Sequence, residues 1–448
     1  MRNAVRKAAN FISSPTWNPI FQSAGMGTLN RISNIAARVF AIPLVINYLG
    51  DERFGLVMTV SSISSYIFLL DFGVASALVN KLTASYTAGE KEIANRYITA
   101  GLAFLVSVSI LIGLCLIIGI PAFDWESILK LKSVGRDEAD VLLFVALGVF
   151  LIQLPLSLVQ KVPYAFQRGR LNETYLLIAN LFCLAGLALS IVLKLSISFI
   201  TFFLVSPPTI GGIALLIHLL MSEDIKLVRL PLHSIVSLVR ESRKAGYDFI
   251  VMQALSVLMT GLQFTMLALY HGAAAVAPYA LMFQVLVAVQ TPFVMLIQPM
   301  WTKVSQLMSQ NDLGAIRNIL RLYFKIAFVY SLVTACFFIF MINPLLAIFL
   351  RDHLPLPFEL RLGFAILAML GLLFGGGIGS VILGMNLTRQ MAKITFGQFA
   401  FFLIVGLLLI SPFGSLGVVM STCAGYLIAV PGSLLVLKRN LYSEIKTQ

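Results

Sequence analysis

Apolar stretches of membrane-crossing length alternate with short polar breaks along almost the whole chain. A membrane span needs about 20 mostly apolar residues. Twelve segments meet that requirement, roughly 24–49, 55–79, 98–121, 140–164, 172–193, 196–221, 246–270, 274–298, 319–343, 357–384, 392–411 and 414–437. The first is polar early on, and the division of 172–221 rests on Lys194. The pattern predicts an all-α polytopic membrane protein. Every polar break is short, which leaves no room for a separate soluble catalytic domain.

The two halves of the pattern match. Sliding the chain without a gap so that Tyr48 falls on Tyr270 also places Gly50 on Gly272, and Asn80-Lys81 on Thr302-Lys303. The linker NKLTASYTAGEKEIANR falls on TKVSQLMSQNDLGAIRN. The expected organisation is two six-helix bundles, 1–221 and 246–448, joined by a basic linker, 222–245. A shift of six spans keeps membrane direction, so the repeat is parallel with its axis along the membrane normal. The joint, Ile225 to Gly246, carries Ile235, Val236, Leu238 and Val239 on one helical face, with Arg240, Arg243 and Lys244 turned elsewhere. It reads either as an interfacial helix on the cytoplasmic leaflet or as a solvated basic linker.

Charge sets the orientation. Only 11% of the 448 residues are charged, and the net charge is +13. With both termini in the cytoplasm, 22 of the 32 Lys and Arg fall on the cytoplasmic side and 7 on the outer side. That bias is what cytoplasmic loops of membrane proteins collect, and it accounts for most of the net charge without nucleic acid as a partner. The basic start MRNAVRKAANF is not followed by a short apolar region and cleavage site, so the first span is expected to act as its own insertion signal. Cys115, Cys183, Cys336 and Cys423 all sit in apolar segments, and the four histidines are scattered, so neither a disulfide framework nor a metal site is expected. No cofactor is expected.

Three cations remain inside the membrane: Arg31, Arg38 and Lys325. Arg31 and Arg38 are separated by seven positions, about 20° from each other on one helix face, with Asn34 about 60° to the side. The same shift of the chain puts this stripe on Gln253, Ser256 and Thr260. Matched polar faces suggest that spans 1 and 7 both border a central cavity. The alternative for the arginines is a buried ion pair, or snorkelling toward the cytoplasmic end, which suits Arg31 better than Arg38. Asp71, in LLDFG of span 2, is the clearest acid at membrane depth. It either pairs with these arginines or binds a coupling ion. Glu173 opens span 5, where a helix amino-terminal end favours an acid anyway. Lys81 and Lys303 end spans 2 and 8 at matched positions, as snorkelling anchors or as attractors for an anionic headgroup. Gln284, Gln290, Gln298 and Gln398 suit hydroxyl-rich ligands or join helices. FGGGIGS, Phe374 to Ser380, lacks the Lys-Ser/Thr of a phosphate loop and is expected to mark a close helix approach or a bend.

Buried arginines and amides with few carboxylates favour an anionic guest, and the planar fork of arginine suits phosphate. The segment RISNIAARVFAIPLVINYLGDERFGLVMTVSSISSYIFLLDFGVASALVNKL, Arg31 to Leu82, resembles the amino-terminal region of the polysaccharide-transporter (Wzx-type) flippases of the multidrug/oligosaccharidyl-lipid/polysaccharide (MATE/MOP) exporter superfamily. The resemblance rests on the span 1 arginines, YLGDERFGL, LLDFG and the basic linker after it. It implies two six-helix bundles. It also implies movement of an undecaprenyl-diphosphate-linked oligosaccharide, such as an O-antigen repeat unit, from the cytoplasmic to the periplasmic leaflet of a bacterial inner membrane. A cationic cavity would hold the headgroup, with Arg31, Asn34, Arg38, Gln253, Lys81 and Lys303 as substrate-binding candidates and Asp71 for charge pairing. A drug/cation antiporter of the same fold would need acidic cavity residues, and Asp71 is the one convincing candidate. A membrane polysaccharide polymerase or ligase would need a larger outer loop than Pro121 to Ala139.

Overall fold

The computed structural model describes residues 18–66, 78, 81–83, 85–86, 88–166, 168–231, 235, 237, 247–297, 300–310, 312–350 and 356–441. Among them the regular structure is helical, without strands. The principal helices, numbered in chain order, are α1 (Asn18–Ser65), α2 (Lys91–Ala122), α3 (Arg136–Ala165), α4 (Gly169–Val192), α5 (Ile197–Val205), α6 (Pro207–Met221) and α7 (Tyr247–His271). They continue with α8 (Val276–Ile297), α9 (Met300–Ser309), α10 (Leu313–Cys336), α11 (Ile342–Leu350), α12 (Phe358–Leu370), α13 (Gly376–Gly384) and α14 (Thr388–Leu441).

Helices α1 and α14 run for 48 and 54 residues. At 1.5 Å per residue that is roughly 70–80 Å, more than twice the ~30 Å hydrocarbon core of a bilayer. Each therefore breaks at a glycine with positive φ, a region closed to most other residues, Gly50 (φ 74°, ψ 172°) and Gly414 (φ 53°, ψ −125°). Among the described residues, eight helices are long and apolar enough to cross a membrane, or nine with the pair α5–α6, which bends by 57° at Ser206–Pro207. With α1 and α14 divided at their glycines, the helices fall in step with the expected spans. The later part of the second span, including Asp71, lies outside the described residues. So does most of the joint between the halves, including Val236, Leu238, Val239, Arg240, Arg243 and Lys244.

The backbone carries the repeat. Gly272 (φ 84°, ψ 167°) adopts nearly the conformation of Gly50, its counterpart in the shifted chain. Both angles agree to within about 10°, so the chain turns in the same way at these two matched glycines.

Packing divides the described chain into two compact units. The first takes the chain up to Ala41, Ile63–Trp125 and Gly135–Tyr247; the second takes Ile42–Ser62, Glu126–Val134 and the chain from Asp248 onward. In the first, α3 packs on α2, α5 and α6, and α4 packs on α5 and α6. The outer face of α2 leaves Ile110, Leu111, Leu114, Ile117 and Ile118 exposed, an apolar surface suited to lipid tails. In the second, α12 lies against α10 and α14, and α13 against α9 and α14. The second half of α1 belongs here for local reasons. A Cβ on Gly55 would sit 1.8 Å from the Ala273 carbonyl oxygen, so only glycine permits that approach. Ser62 Oγ meets Thr265 Oγ1 at 3.3 Å. The short segment before α3 is held by Glu52, whose carboxylate accepts the N–H groups of Lys132 (2.5 Å) and Ser133 (2.9 Å).

Two one-turn π-helical segments interrupt the second unit, Phe337–Met341 and Gly371–Gly375. Such segments release carbonyls from the regular ladder, and buried carbonyls need donors. Arg361 Nη1 donates to Ile339 O (2.6 Å), and the buried Tyr323 hydroxyl donates to Leu372 O (2.5 Å). Gly377 follows, with the Tyr323 ring 2.0 Å from where its Cβ would stand. The FGGGIGS stretch is thus both a bend and a close approach.

Candidate functional site

The first unit holds a polar network on the first half of α1, around Asn30. Asn30 Nδ2 donates to Glu173 Oε2 (2.9 Å), and Asn30 Oδ1 accepts from Asn180 Nδ2 (2.8 Å). The Tyr164 hydroxyl donates to the other Glu173 oxygen, and Asn172 Nδ2 donates to the Tyr164 oxygen (3.2 Å). Asn172 is buried, and its Oδ1 has no hydrogen-bond donor among the described residues. Arg31 is half-buried beside this network and interacts electrostatically with Tyr164. The cluster joins α1, α3 and α4 through side chains 143 and 150 residues apart in sequence. Chemically it offers a cation, a carboxylate and several amides in one place.

Glu173 is the member whose role the sequence reading missed. Helix α4 begins at Gly169, so Glu173 lies beyond the first turn and is not an end charge. It is the shared acceptor of Asn30 and Tyr164. The one available signal was the polar run NET at the head of an otherwise apolar span.

The second unit carries a neutral counterpart. On α7, Gln253, Ser256 and Thr260 are exposed while Leu255, Phe264 and Leu267 are buried, so the expected polar stripe is a stripe in the structure. One turn on, Gln263 is buried and fixed at both ends: Tyr279 Oη donates to its Oε1 (2.6 Å), and its Nε2 donates to Thr422 Oγ1 (3.2 Å). Thr260 and Gln263 border a cavity of about 270 Å³ that is also lined by Phe283, Gln290, Phe293, Gly371, Gly375, Thr422 and Tyr426. Gln290 was an expected lining residue. In the sequence Gln263 looks like one more polar interruption.

The remaining expected residues fall as follows. Asn34 and Arg38 lie on α1, but their side chains are outside the described ones, and Asp71 and Gln298 are outside altogether. Lys81 is half-buried. Lys303 is exposed on α9 and donates to Gln306 Oε1 (3.3 Å). Lys325 is exposed on α10. Gln284 is half-buried on α8. Gln398 packs under Gly425, a helix-joining position. Among the described residues no group of three His, Cys, Asp or Glu is placed to hold a metal ion.

Residues 23–305 match the family described as polysaccharide biosynthesis protein. Among solved structures, the chain is similar to an inward-facing multidrug resistance MATE family transporter of the MOP superfamily (TM-score 0.73, 14% identity, covering 95% of this chain and 99% of that one). It is also similar to the lipid II flippase MurJ in an inward closed conformation (TM-score 0.66, 12% identity, covering 92% and 87%). A third is a MOP superfamily transporter from Pyrococcus furiosus, described by a binding pocket of reverse polarity (TM-score 0.64, 12% identity, covering 96% and 97%). At these identities the likeness establishes the fold. A comparison with curated proteins gives no match.

Proposed function

Because the chain belongs to the polysaccharide biosynthesis protein family, we propose that it is a flippase for a lipid-linked glycan. The family match over residues 23–305 carries this reading. The chain is a multi-pass membrane protein, and the solved structures it resembles are transporters and flippases rather than enzymes. In this reading the substrate is an undecaprenyl-diphosphate-linked oligosaccharide, an O-antigen unit or related glycan of the lipopolysaccharide kind. It passes from the cytoplasmic to the periplasmic leaflet of a bacterial inner membrane by alternating access. Both termini are cytoplasmic, as the distribution of Lys and Arg suggests. Partners are the lipid-linked substrate, membrane lipids and other glycan-assembly membrane proteins.

Arg38, helped by Arg31 and Asn34, receives the diphosphate or an acidic sugar. Asp71 pairs with the arginines when the site is empty. Lys81 and Lys303 attract the headgroup, and Gln253 contacts it from the second half. Support comes from physical cost: an arginine at the centre of a bilayer costs about 2.5–3.5 kcal/mol on insertion scales, so two on one helix face call for an anionic guest or a partner. The half-buried position of Arg31 beside the Glu173 network adds support, since its charge meets protein groups rather than lipid alone.

The test measures lipid-linked oligosaccharide in cells at equal protein level, comparing wild type with Arg38→Ala and Arg38→Lys. Accumulation on the cytoplasmic leaflet with alanine, partly relieved by lysine, is expected. Normal export with both variants removes Arg38 from the site. Normal export in cells lacking the protein overturns the flippase itself.

A further inference from the structure

The cavity of the second unit has a chemistry different from that of the arginine stripe. Its lining contains no Asp, Glu, Lys, Arg or His. Nothing there would repay the dehydration of a phosphate or of a metal cation. The cavity's polar groups are amides and hydroxyls, from Thr260, Gln263, Gln290, Thr422 and Tyr426, set in a largely apolar lining of aliphatic and aromatic side chains. Gln263 is locked between Tyr279 and Thr422 and so presents a fixed amide edge. Thr260 donates to Ser256 O (3.0 Å), which leaves its oxygen to accept. The side chains of Gln290 and Tyr426 make no hydrogen bond among the described residues, and both border the cavity. Polar side chains at membrane depth usually find partners, so two with open hydrogen-bonding capacity on one cavity point to a guest that supplies them.

The glycines of the π segment make the room. A Cβ on Gly371 would stand 3.2 Å from Gln290 Nε2 and 3.4 Å from Tyr426 Oη; one on Gly375 would stand 3.5 Å from Tyr426 Oη. The π turn therefore clears the space between the two unpartnered groups. A volume of about 270 Å³ equals roughly nine waters at ~30 Å³ each, enough for one sugar ring with a little water. Phe283 and Phe293 add aromatic surface to the lining, which suits the C–H side of such a ring, while the amides and hydroxyls suit its rim. The exposed stripe Gln253, Ser256 and Thr260 runs along one face of α7 to this cavity, and its three members are polar and uncharged.

We infer that the cavity between α7, α8, the 371–375 turn and α14 is a subsite for one neutral sugar ring of the transported glycan, held by Gln290 and Tyr426 on the platform of Gln263. This rests on the flippase reading above and adds which part of the substrate the second half reads.

The experiment uses the full-length protein in lipid nanodiscs. Its probes are undecaprenyl diphosphate alone and undecaprenyl diphosphate carrying a single glucose, galactose, N-acetylglucosamine or glucuronic acid, with binding followed by native mass spectrometry. Wild type is expected to bind at least one neutral-sugar lipid about tenfold tighter than the bare lipid. Gln290→Ala and Tyr426→Phe should each reduce that increment about fivefold, the worth of one hydrogen bond, and leave the bare lipid's affinity unchanged. Gly375→Ala, which removes no polar group and meets the Tyr426 oxygen at ordinary contact distance, should reduce it by filling the cavity. A sugar increment that survives all three variants overturns the subsite while the flippase reading stands. The same follows from an increment for glucuronic acid alone, or from none for any sugar. Failure of every lipid, bare or glycosylated, to bind overturns both.

Discussion

Replacing Glu173 by glutamine separates two accounts of this carboxylate. If it were only an acid near a helix start, the change would cost about 0.3–1 kcal/mol, and nothing on α1 would notice. In the structure it accepts from Asn30 Nδ2 at 2.9 Å and from the Tyr164 hydroxyl. Hydrogen bonds to a charged group are worth about 1.5–3 kcal/mol, against about 0.5–1.5 kcal/mol for neutral pairs. Glutamine keeps one acceptor, so one donor retains a weaker bond and the other faces an NH2. Glu173 is half-exposed. Solvent screening there trims the sum to about 2 kcal/mol of lost stability. The assay is thermal unfolding of the purified protein in detergent, with wild type, Glu173→Gln, Asn30→Ala and the double variant. A fall of several degrees in Tm is expected for Glu173→Gln. The double variant should lose less than the sum of the singles, by about 1 kcal/mol, because the two side chains share one bond. Additive losses, or an unchanged Tm for Glu173→Gln, would refute the network as a structural unit.

Other substitutions probe the second unit by the same measurement. Gly55→Ala drives a Cβ to 1.8 Å from the Ala273 carbonyl, where backbone must move, and should cost roughly 3 kcal/mol or more. Gly377→Ala forces the Tyr323 ring away and strips the Leu372 carbonyl of its donor; a loss of about 2–4 kcal/mol is expected, with Tyr323→Phe losing only the hydrogen-bond share. Burial works to raise the pKa of Glu52, and the hydrogen bonds from Ser133, Lys132 and Val134 outweigh it, holding the carboxyl below the usual 4.5. A depressed carboxyl stabilises the fold above its unfolded pKa and loses that contribution as pH falls through the folded value. The Tm gap between wild type and Glu52→Gln should therefore be constant near neutral pH and close as the pH drops below about 4.5; a gap that widens in acid would contradict the assignment.

The spans were legible because lipid demands long continuous apolar runs, and that signal is local in sequence. The doubling was legible at Gly50 and Gly272, since a chain that must turn sharply between spans needs positive φ and glycine supplies it. The FGGGIGS stretch announced a close approach for the same local reason. What stayed hidden depends on partners far along the chain. No pattern near Phe337 or Gly371 announces a π turn, because the donors that stabilise it, Arg361 and Tyr323, lie 22 and 49 residues from the carbonyls they bind. Glu173 looked like an end charge because its partner Asn30 is 143 residues away. Gln263 showed nothing in sequence, as its role comes from Tyr279 and Thr422 meeting it in space.

The repeat also explains why the polar groups differ between halves. In the shifted chain, Arg31, Asn34 and Arg38 correspond to Gln253, Ser256 and Thr260. Duplication supplies the same helix face twice, and each face can be charged or neutral. Charging both would place two further cations at membrane depth at about 2.5–3.5 kcal/mol each. A substrate with an anionic group at both ends would be needed to offset that cost. A lipid-linked glycan is not of that kind: its charge is concentrated at the diphosphate, and its sugars present hydroxyls. If the substrate is the lipid-linked glycan proposed above, one cationic face and one neutral face match its polarised headgroup with the fewest buried charges. On this argument, restoring symmetry by Gln253→Arg should weaken export of a neutral glycan, read as lipid-linked oligosaccharide retained on the cytoplasmic leaflet, even though it adds positive charge for an anionic lipid. Export at or above the wild-type level would mean that the second face answers to charge after all, and the division of labour between the halves would fall with it.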